Sequence, residues 1–161
     1  MESGAVDEKT ARTPPTCVVC GPLLTPTLGE SAHWRVALNL NQNLLGKSII
    51  VLRRHEEQVT RLTPEEWADL QRQVQAITDR LRVAFQPDHF NDAFLQNQDR
   101  HVHLHVIPRY ASPRSAVGET FADQDYPGHY AAPGPVRRLT EEQMSALASS
   151  LQPATVQRNA S

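Results

Sequence analysis

The sequence predicts an α+β domain: a mostly antiparallel sheet with one long packed helix and a shorter C-terminal helix. Three observations predict it. Short runs of alternating or β-branched apolar residues flank a stretch, from Thr63 to Pro87, whose apolar residues recur at steps of three and four. Clusters of Asn, Gln, Gly and Pro separate these runs. Strands and helices follow one another in blocks rather than in strict alternation, which argues against a parallel α/β fold. At 161 residues the chain is sized for one core.

Residues 1–16 read as a flexible N-terminal arm, polar and closed by Pro14-Pro15, and residues 17–152 as a single domain whose order begins near Cys17. From His33 to Leu40, Trp34, Val36, Leu38 and Leu40 alternate with other side chains, the period of a half-buried strand. Asn39 to Asn43 supplies loop chemistry. Gly46 then permits a tight approach before the β-branched strand Ser48 to Leu52. Thr63, Pro64 and Glu66 form a helix start: a cap, a first-turn proline and the partner of a capping box. Trp67, Leu70, Val74, Ile77 and Leu81 give that helix one apolar stripe, so Trp34 and Trp67 are both expected in the core. Residues 89–95 and 101–107 are strands separated by a polar turn. Residues 111–138 read as one long loop, whose Phe121, Tyr126 and Tyr130 are expected to cover a neighbouring surface. Thr140 to Gln152 is a second helix with Met144, Leu147 and Leu151 inward, and 153–161 a flexible tail.

The net charge of -2 gives no basic field, so nucleic acid is not the expected partner, whereas a small anion can be held by a local group of donors. No apolar run is long enough for a bilayer, and the start of the chain lacks the basic and apolar regions of a secretion signal; no membrane partner and a cytoplasmic location are the expectations. The two cysteines, Cys17 and Cys20, lie too close in sequence to staple distant segments, and their spacing suits half a metal site or a redox pair.

The most informative stretch is His101-Val102-His103-Leu104-His105-Val106-Ile107. Side chains of a strand alternate between faces, so Val102, Leu104 and Val106 share the core face and the three imidazoles the other. Imidazole has an ordinary pKa of about 6.5, so a neutral ring can attack phosphorus while a neighbour donates to a phosphate oxygen. A metal site built on two of the histidines and a coincidental surface stripe are the rival readings.

This stretch resembles the signature of the histidine-triad family, in which histidine and an apolar residue repeat three times. The resemblance extends to Asn39, to Gly46 before a branched strand and to Arg53-Arg54-His55 after it, and covers residues 17–110. It implies a nucleotide hydrolase or nucleotidyl transferase acting at the α-phosphate through a nucleotidyl-histidine intermediate, with a dinucleoside polyphosphate as substrate. A nucleoside phosphoramidase is the alternative, and a non-catalytic nucleotide- or zinc-binding regulator the alternative of another class. The implied catalytic residues are His103 as nucleophile, His105 beside it and His101 at the edge. The implied nucleotide contacts are Asn39, Lys47, Asn97 and Gln98. Some members hold a structural zinc with residues that here are Cys17, Cys20, His55 and His101; two buried thiols and a solvated His55 are the other reading. No organic cofactor is implied, and the family resemblance also implies a homodimer. Two departures stand out. Lys47 occupies a position where members commonly carry histidine, and the short Asn97-Gln98-Asp99-Arg100 replaces a longer Gly-Gln-Ser or Gly-Gln-Thr segment.

Overall fold

Alternation and branching produce strands where expected, and pairing adds others that the pattern does not announce. The computed structural model describes residues 17–153; the expected arm, and the expected tail beyond Pro153, lie outside the described residues. Strands β1 (Thr27–Glu30), β2 (Trp34–Leu38), β3 (Ser48–Leu52), β4 (His89–Ala93) and β5 (His103–Arg109) form one antiparallel sheet in the order β1-β2-β3-β5-β4. β1 escapes sequence reading because it has a single buried apolar side chain, Leu28, and its register shifts between Thr27 and Gly29.

Helix α1 (Pro64–Phe85) begins with the full capping box: Thr63 Oγ1 accepts from Glu66 N–H, and the Glu66 carboxylate accepts from Thr63 N–H. It ends where Gln86 takes a left-handed conformation (φ 50°). Leu70, Ile77, Leu81 and Phe85 enter the core. Trp67 does not. It is 43% exposed and meets Phe94 edge to face, whereas its neighbours Glu66 and Asp69 are buried. The acids go inward because donors await them. Arg54 Nε reaches Glu66 at 2.6 Å, and Ser31 Oγ and His33 N–H donate to Asp69. Trp34, the other tryptophan, is fully buried and donates its Nε1–H to the Glu66 carbonyl.

Gly46 carries a positive φ of 78°, and a Cβ there would lie 2.5 Å from Leu81 Cδ2, so the turn before β3 can press onto α1 only as glycine. The expected loop over 111–138 is partly regular: β6 (Arg114–Ala116) and β7 (Glu119–Phe121) form a hairpin with positive φ at both Val117 and Gly118. A valine in that conformation is an unusual turn residue, which hid the hairpin. Phe121 lies in the core rather than over a neighbouring surface, while Tyr126 and Tyr130 are half-buried. Helix α2 (Glu141–Ser150) repeats the capping box with Thr140 and Gln143, and sends Met144 and Leu147 into the core, followed by Leu151 at its end.

The core fills one side of the sheet. Trp34, Val36, Leu38, Ile50, Leu52, Val102, Leu104 and Val106 join residues of both helices there. Side chains of intervening positions point to the opposite face, where the histidines lie.

Candidate functional site

Register builds the site. β5 pairs with β3 so that His103 lies opposite Val51 and His105 opposite Ile49; β3 in turn places Arg35 beside Val51 and Ala37 beside Ile49. The Asn39 N–H to Lys47 carbonyl bond (2.8 Å) continues the β2–β3 pairing. Asn39 and Lys47 therefore occupy the next position along the face that carries His103 and His105. Two of the three expected rings stand together: His103 and His105 have centroids 4.9 Å apart and Nε2 atoms 3.1 Å apart. His101 precedes the strand, and its ring turns toward the cysteines.

The hydrogens of this row can be assigned from its ends. The His101 carbonyl can only accept, and it lies 2.7 Å from His103 Nδ1, so Nδ1 carries the hydrogen and neutral Nε2 presents an unshared pair. At the other end, Asn39 Oδ1 accepts from Asn41 N–H, which turns the amide NH2 toward His105 Nδ1 at 3.5 Å. His105 thus accepts at Nδ1 and donates from Nε2 to His103 Nε2. Burial, reinforced by the fields of His103 and Lys47, pushes the His105 pKa down from 6.5 to about 4, so it donates as a neutral ring. An incoming phosphate oxygen can take over that N–H and free the His103 lone pair in the same movement.

Around the row, Lys47 is half-buried with its Nζ 3.2 Å from Asn43 Oδ1, and burial lowers its pKa. Asn41 ties this loop to the segment after β7, accepting from Arg137 N–H and donating to the Pro135 carbonyl. Asn97 and Gln98 are exposed on the turn before β5 and make no hydrogen bond to a histidine among the described residues. Gln96 instead fixes that turn, donating to the carbonyls of Glu57 and Arg100. Sequence reading missed Asn43 and the buried Arg109–Asp123 pair (2.6 Å), which fastens the loop after β7 to β5. An arginine closing the strand after Pro108 was the available signal.

A second cluster adjoins the first. Cys17, Cys20, His55 and His101 place one ligand atom each within 4.8 Å of one another. His101 Nδ1 is 3.4 Å from Cys17 Sγ and 3.3 Å from Cys20 Sγ, and His55 Nδ1 is 3.3 Å from Cys20 Sγ. Zinc–ligand bonds of about 2.0–2.3 Å give tetrahedral edges of roughly 3.3–3.8 Å, a range that holds the three nitrogen–sulfur distances. The tautomers match too. His101 Nε2–H donates to the Leu52 carbonyl (2.7 Å) and His55 Nε2 lies 3.4 Å from the Glu57 carboxylate, so each Nδ1 is free to ligate. Arg35 holds the cysteine turn (a 3₁₀ turn, Val18–Cys20) through the carbonyls of Val19 and Gly21. The donor set fits a four-coordinate structural metal, which when bound would supply cross-linking and no open coordination position.

Known proteins agree with this architecture. The chain resembles the histidine triad protein of Marinobacter aquaeolei VT8, with 28% identity and a TM-score of 0.66 over 80% of this chain and 87% of that one. It resembles that of Sinorhizobium meliloti 1021, with 23% identity and a TM-score of 0.65 over 79% and 87%. A Zn-bound histidine triad family protein from Mycobacterium smegmatis shares the fold at 20% identity and a TM-score of 0.57, over 84% and 93%. No curated protein matches the chain. No helix among the described residues is long and apolar enough to cross a membrane. The HIT domain model matches residues 27–112, more than half of the sequence, and the chain belongs to the histidine triad (HIT) family.

Proposed function

We propose that this protein is a nucleotide hydrolase or nucleotidyl transferase in which His103 attacks an α-phosphorus, with a dinucleoside polyphosphate as substrate. The observation that carries the reading is the row itself: His103 Nδ1 lies 2.7 Å from the His101 carbonyl and His103 Nε2 lies 3.1 Å from His105 Nε2, which assigns the lone pair to His103 Nε2. In the first displacement the Nε2–phosphorus bond forms as the bond to the leaving phosphate oxygen breaks, and His105 donates to a non-bridging oxygen. In the second, a water oxygen bonds to phosphorus as the nitrogen–phosphorus bond breaks, and the water's proton passes to the departing phosphate product or solvent. Asn39 and Lys47 flank this row and are assigned to the nucleotide; Asn97 and Gln98 keep that assignment only if their turn folds over bound substrate. A nucleoside phosphoramidate would use the same nucleophile and differ in the leaving group.

Zinc at the four-ligand cluster serves structure in this proposal. A homodimer fits the open edge of β4, beside a groove lined by Trp67, Phe94 and Leu104. A cytoplasmic location remains part of the proposal. The test is rapid-quench mass spectrometry after mixing with diadenosine polyphosphates and with an adenosine phosphoramidate. A nucleotidyl adduct on His103 is expected, and His103→Asn should lose adduct and turnover while still binding AMP. Wild-type turnover by that variant, or AMP binding with no adduct from any substrate, refutes the reading, the latter in favour of a binding regulator.

A further inference from the structure

We propose that His101 is a positioning residue joining the two clusters: a metal held by its side chain sets the orientation and tautomer of His103. The inference rests on the reading of His103 as nucleophile. Its ground is that one residue serves both clusters with different atoms. His101 Nδ1 lies 3.4 Å and 3.3 Å from the Cys17 and Cys20 sulfurs, while the backbone carbonyl of the same residue accepts from His103 Nδ1 at 2.7 Å.

Three further contacts make this a stiff connection. Nε2–H of His101 is fixed on the Leu52 carbonyl, so ring rotation is blocked at both nitrogens once Nδ1 ligates. The next residue, Val102, is fully buried and pinned from both sides, its carbonyl accepting from Leu52 N–H at 3.1 Å and its N–H donating to the Glu56 carbonyl at 2.7 Å. Glu56 follows His55, so the same short segment carries a ligand and holds the backbone leading to the nucleophile. Arg35 completes the circuit, since it stands in register with Val51 and His103 and grips the carbonyls beside Cys20. His101 itself lies outside β5, whose ladder begins at His103. The ladder therefore does not fix its carbonyl; the peptide plane it shares with Val102 N–H is held by the Glu56 carbonyl, next to the ligand residue His55, and by ligation through the His101 side chain, so both restraints run through the metal cluster. When His101 is released, that carbonyl can turn away, the Nδ1 hydrogen loses its acceptor, and the neutral ring can place its hydrogen on Nε2, where it blocks attack.

The test compares His101→Ala with His101→Cys, each saturated with Zn(II). Alanine leaves three ligands but frees the backbone; cysteine restores a fourth ligand at the same Cα. Histidine 15N resonances should report one Nδ1–H tautomer of His103 in wild type and averaging between tautomers in His101→Ala. Adduct formation in a single turnover should fall roughly 10–100-fold in His101→Ala, the range for removing an orienting partner, with the AMP dissociation constant changed less than about twofold. His101→Cys should recover most of the rate and the single tautomer. Zinc content and circular dichroism confirm that both variants are loaded and folded. Should His101→Ala fail to fold, wild type with zinc removed by chelation gives the same two readouts. Unchanged tautomer and adduct rate in loaded His101→Ala, or no recovery in His101→Cys, overturn the proposal. Absence of an adduct in wild type would instead count against the nucleophile assignment, and the resonance comparison would still decide the coupling.

Discussion

His105 offers a quantitative test of the site's electrostatics through stability alone. In the folded chain its pKa falls from 6.5 to about 4, first because burial disfavours the cation, then because His103 and Lys47 repel it. The unfolded chain takes up that proton near the ordinary value. Between the two pKa values the unfolded state therefore binds more protons than the folded one, and stability falls as pH falls through that window. Above the ordinary value the contribution is complete. At about 1.36 kcal/mol per tenfold change in proton affinity, the full effect is near 3 kcal/mol. The ring keeps some solvent contact, so a difference of about 2 kcal/mol is expected after screening. His105→Gln retains a donor toward His103 but cannot titrate. Urea unfolding of both proteins from pH 7 to pH 4 reads this residue together with its coupling to His103 and Lys47, because titrating groups out of its reach cancel in the difference. Wild type should lose about 2 kcal/mol more than the variant over that interval. Parallel losses, equal to within about 0.5 kcal/mol, would show that His105 is not held neutral by its surroundings.

Two stability predictions address the scaffold. Gly46→Ala forces a left-handed conformation on alanine and drives its Cβ against Leu81 and Phe85; strain of about 1 kcal/mol plus overpacking of about 1–3 kcal/mol should lower the urea midpoint without changing the slope. An unchanged midpoint would mean that α1 can retreat from the turn. Asp123→Asn strips the counter-charge from Arg109, which is 2% exposed and also donates to Asn91 and the Gly128 carbonyl. A loss of about 3–5 kcal/mol is expected, read by thermal unfolding, and a loss below about 1 kcal/mol would show that solvent reaches the guanidinium.

The parts of the fold legible in the sequence are those fixed by local chemistry. Thr63-Pro64-Glu66 announces a helix because cap, proline and carboxylate act within one turn. Ser48 to Leu52 announces a strand by branching alone. β1 and the β6–β7 hairpin were illegible for the opposite reason: β1 exists through its pairing with β2, and the hairpin turns on a valine at positive φ, which no propensity favours. Trp67 shows how a stripe can mislead. Period and size placed it inward, yet the buried surface of the first turn is taken by Glu66 and Asp69, because Arg54 and the turn between β1 and β2 present donors there. Helical spacing identifies a face, and only tertiary partners decide which edge of it is wet.

The same limit applies to the histidines, and it bears on what the site can do. Alternation assigned all three rings to one surface, and it holds only where the ladder holds, from His103 onward. Two residues earlier, at His101, the chain lies outside the ladder, and that side chain joins Cys17 and Cys20, ligands 84 and 81 positions away. Sequence motifs named the members of both clusters, but not that they share a residue. Their consequence lies in direction. A row of imidazoles can pass its hydrogens either way, so some fixed group must choose. Here both ends choose alike, since Asn39 has only its NH2 to offer and the His101 carbonyl has only lone pairs. With Lys47 where members commonly have a titrating ring, no third imidazole competes to reverse the order. Which nitrogen of the neutral His103 ring holds the hydrogen is thereby dictated by a carbonyl and an amide rather than by another imidazole, and the choice lasts for as long as the His101 carbonyl stays where it is.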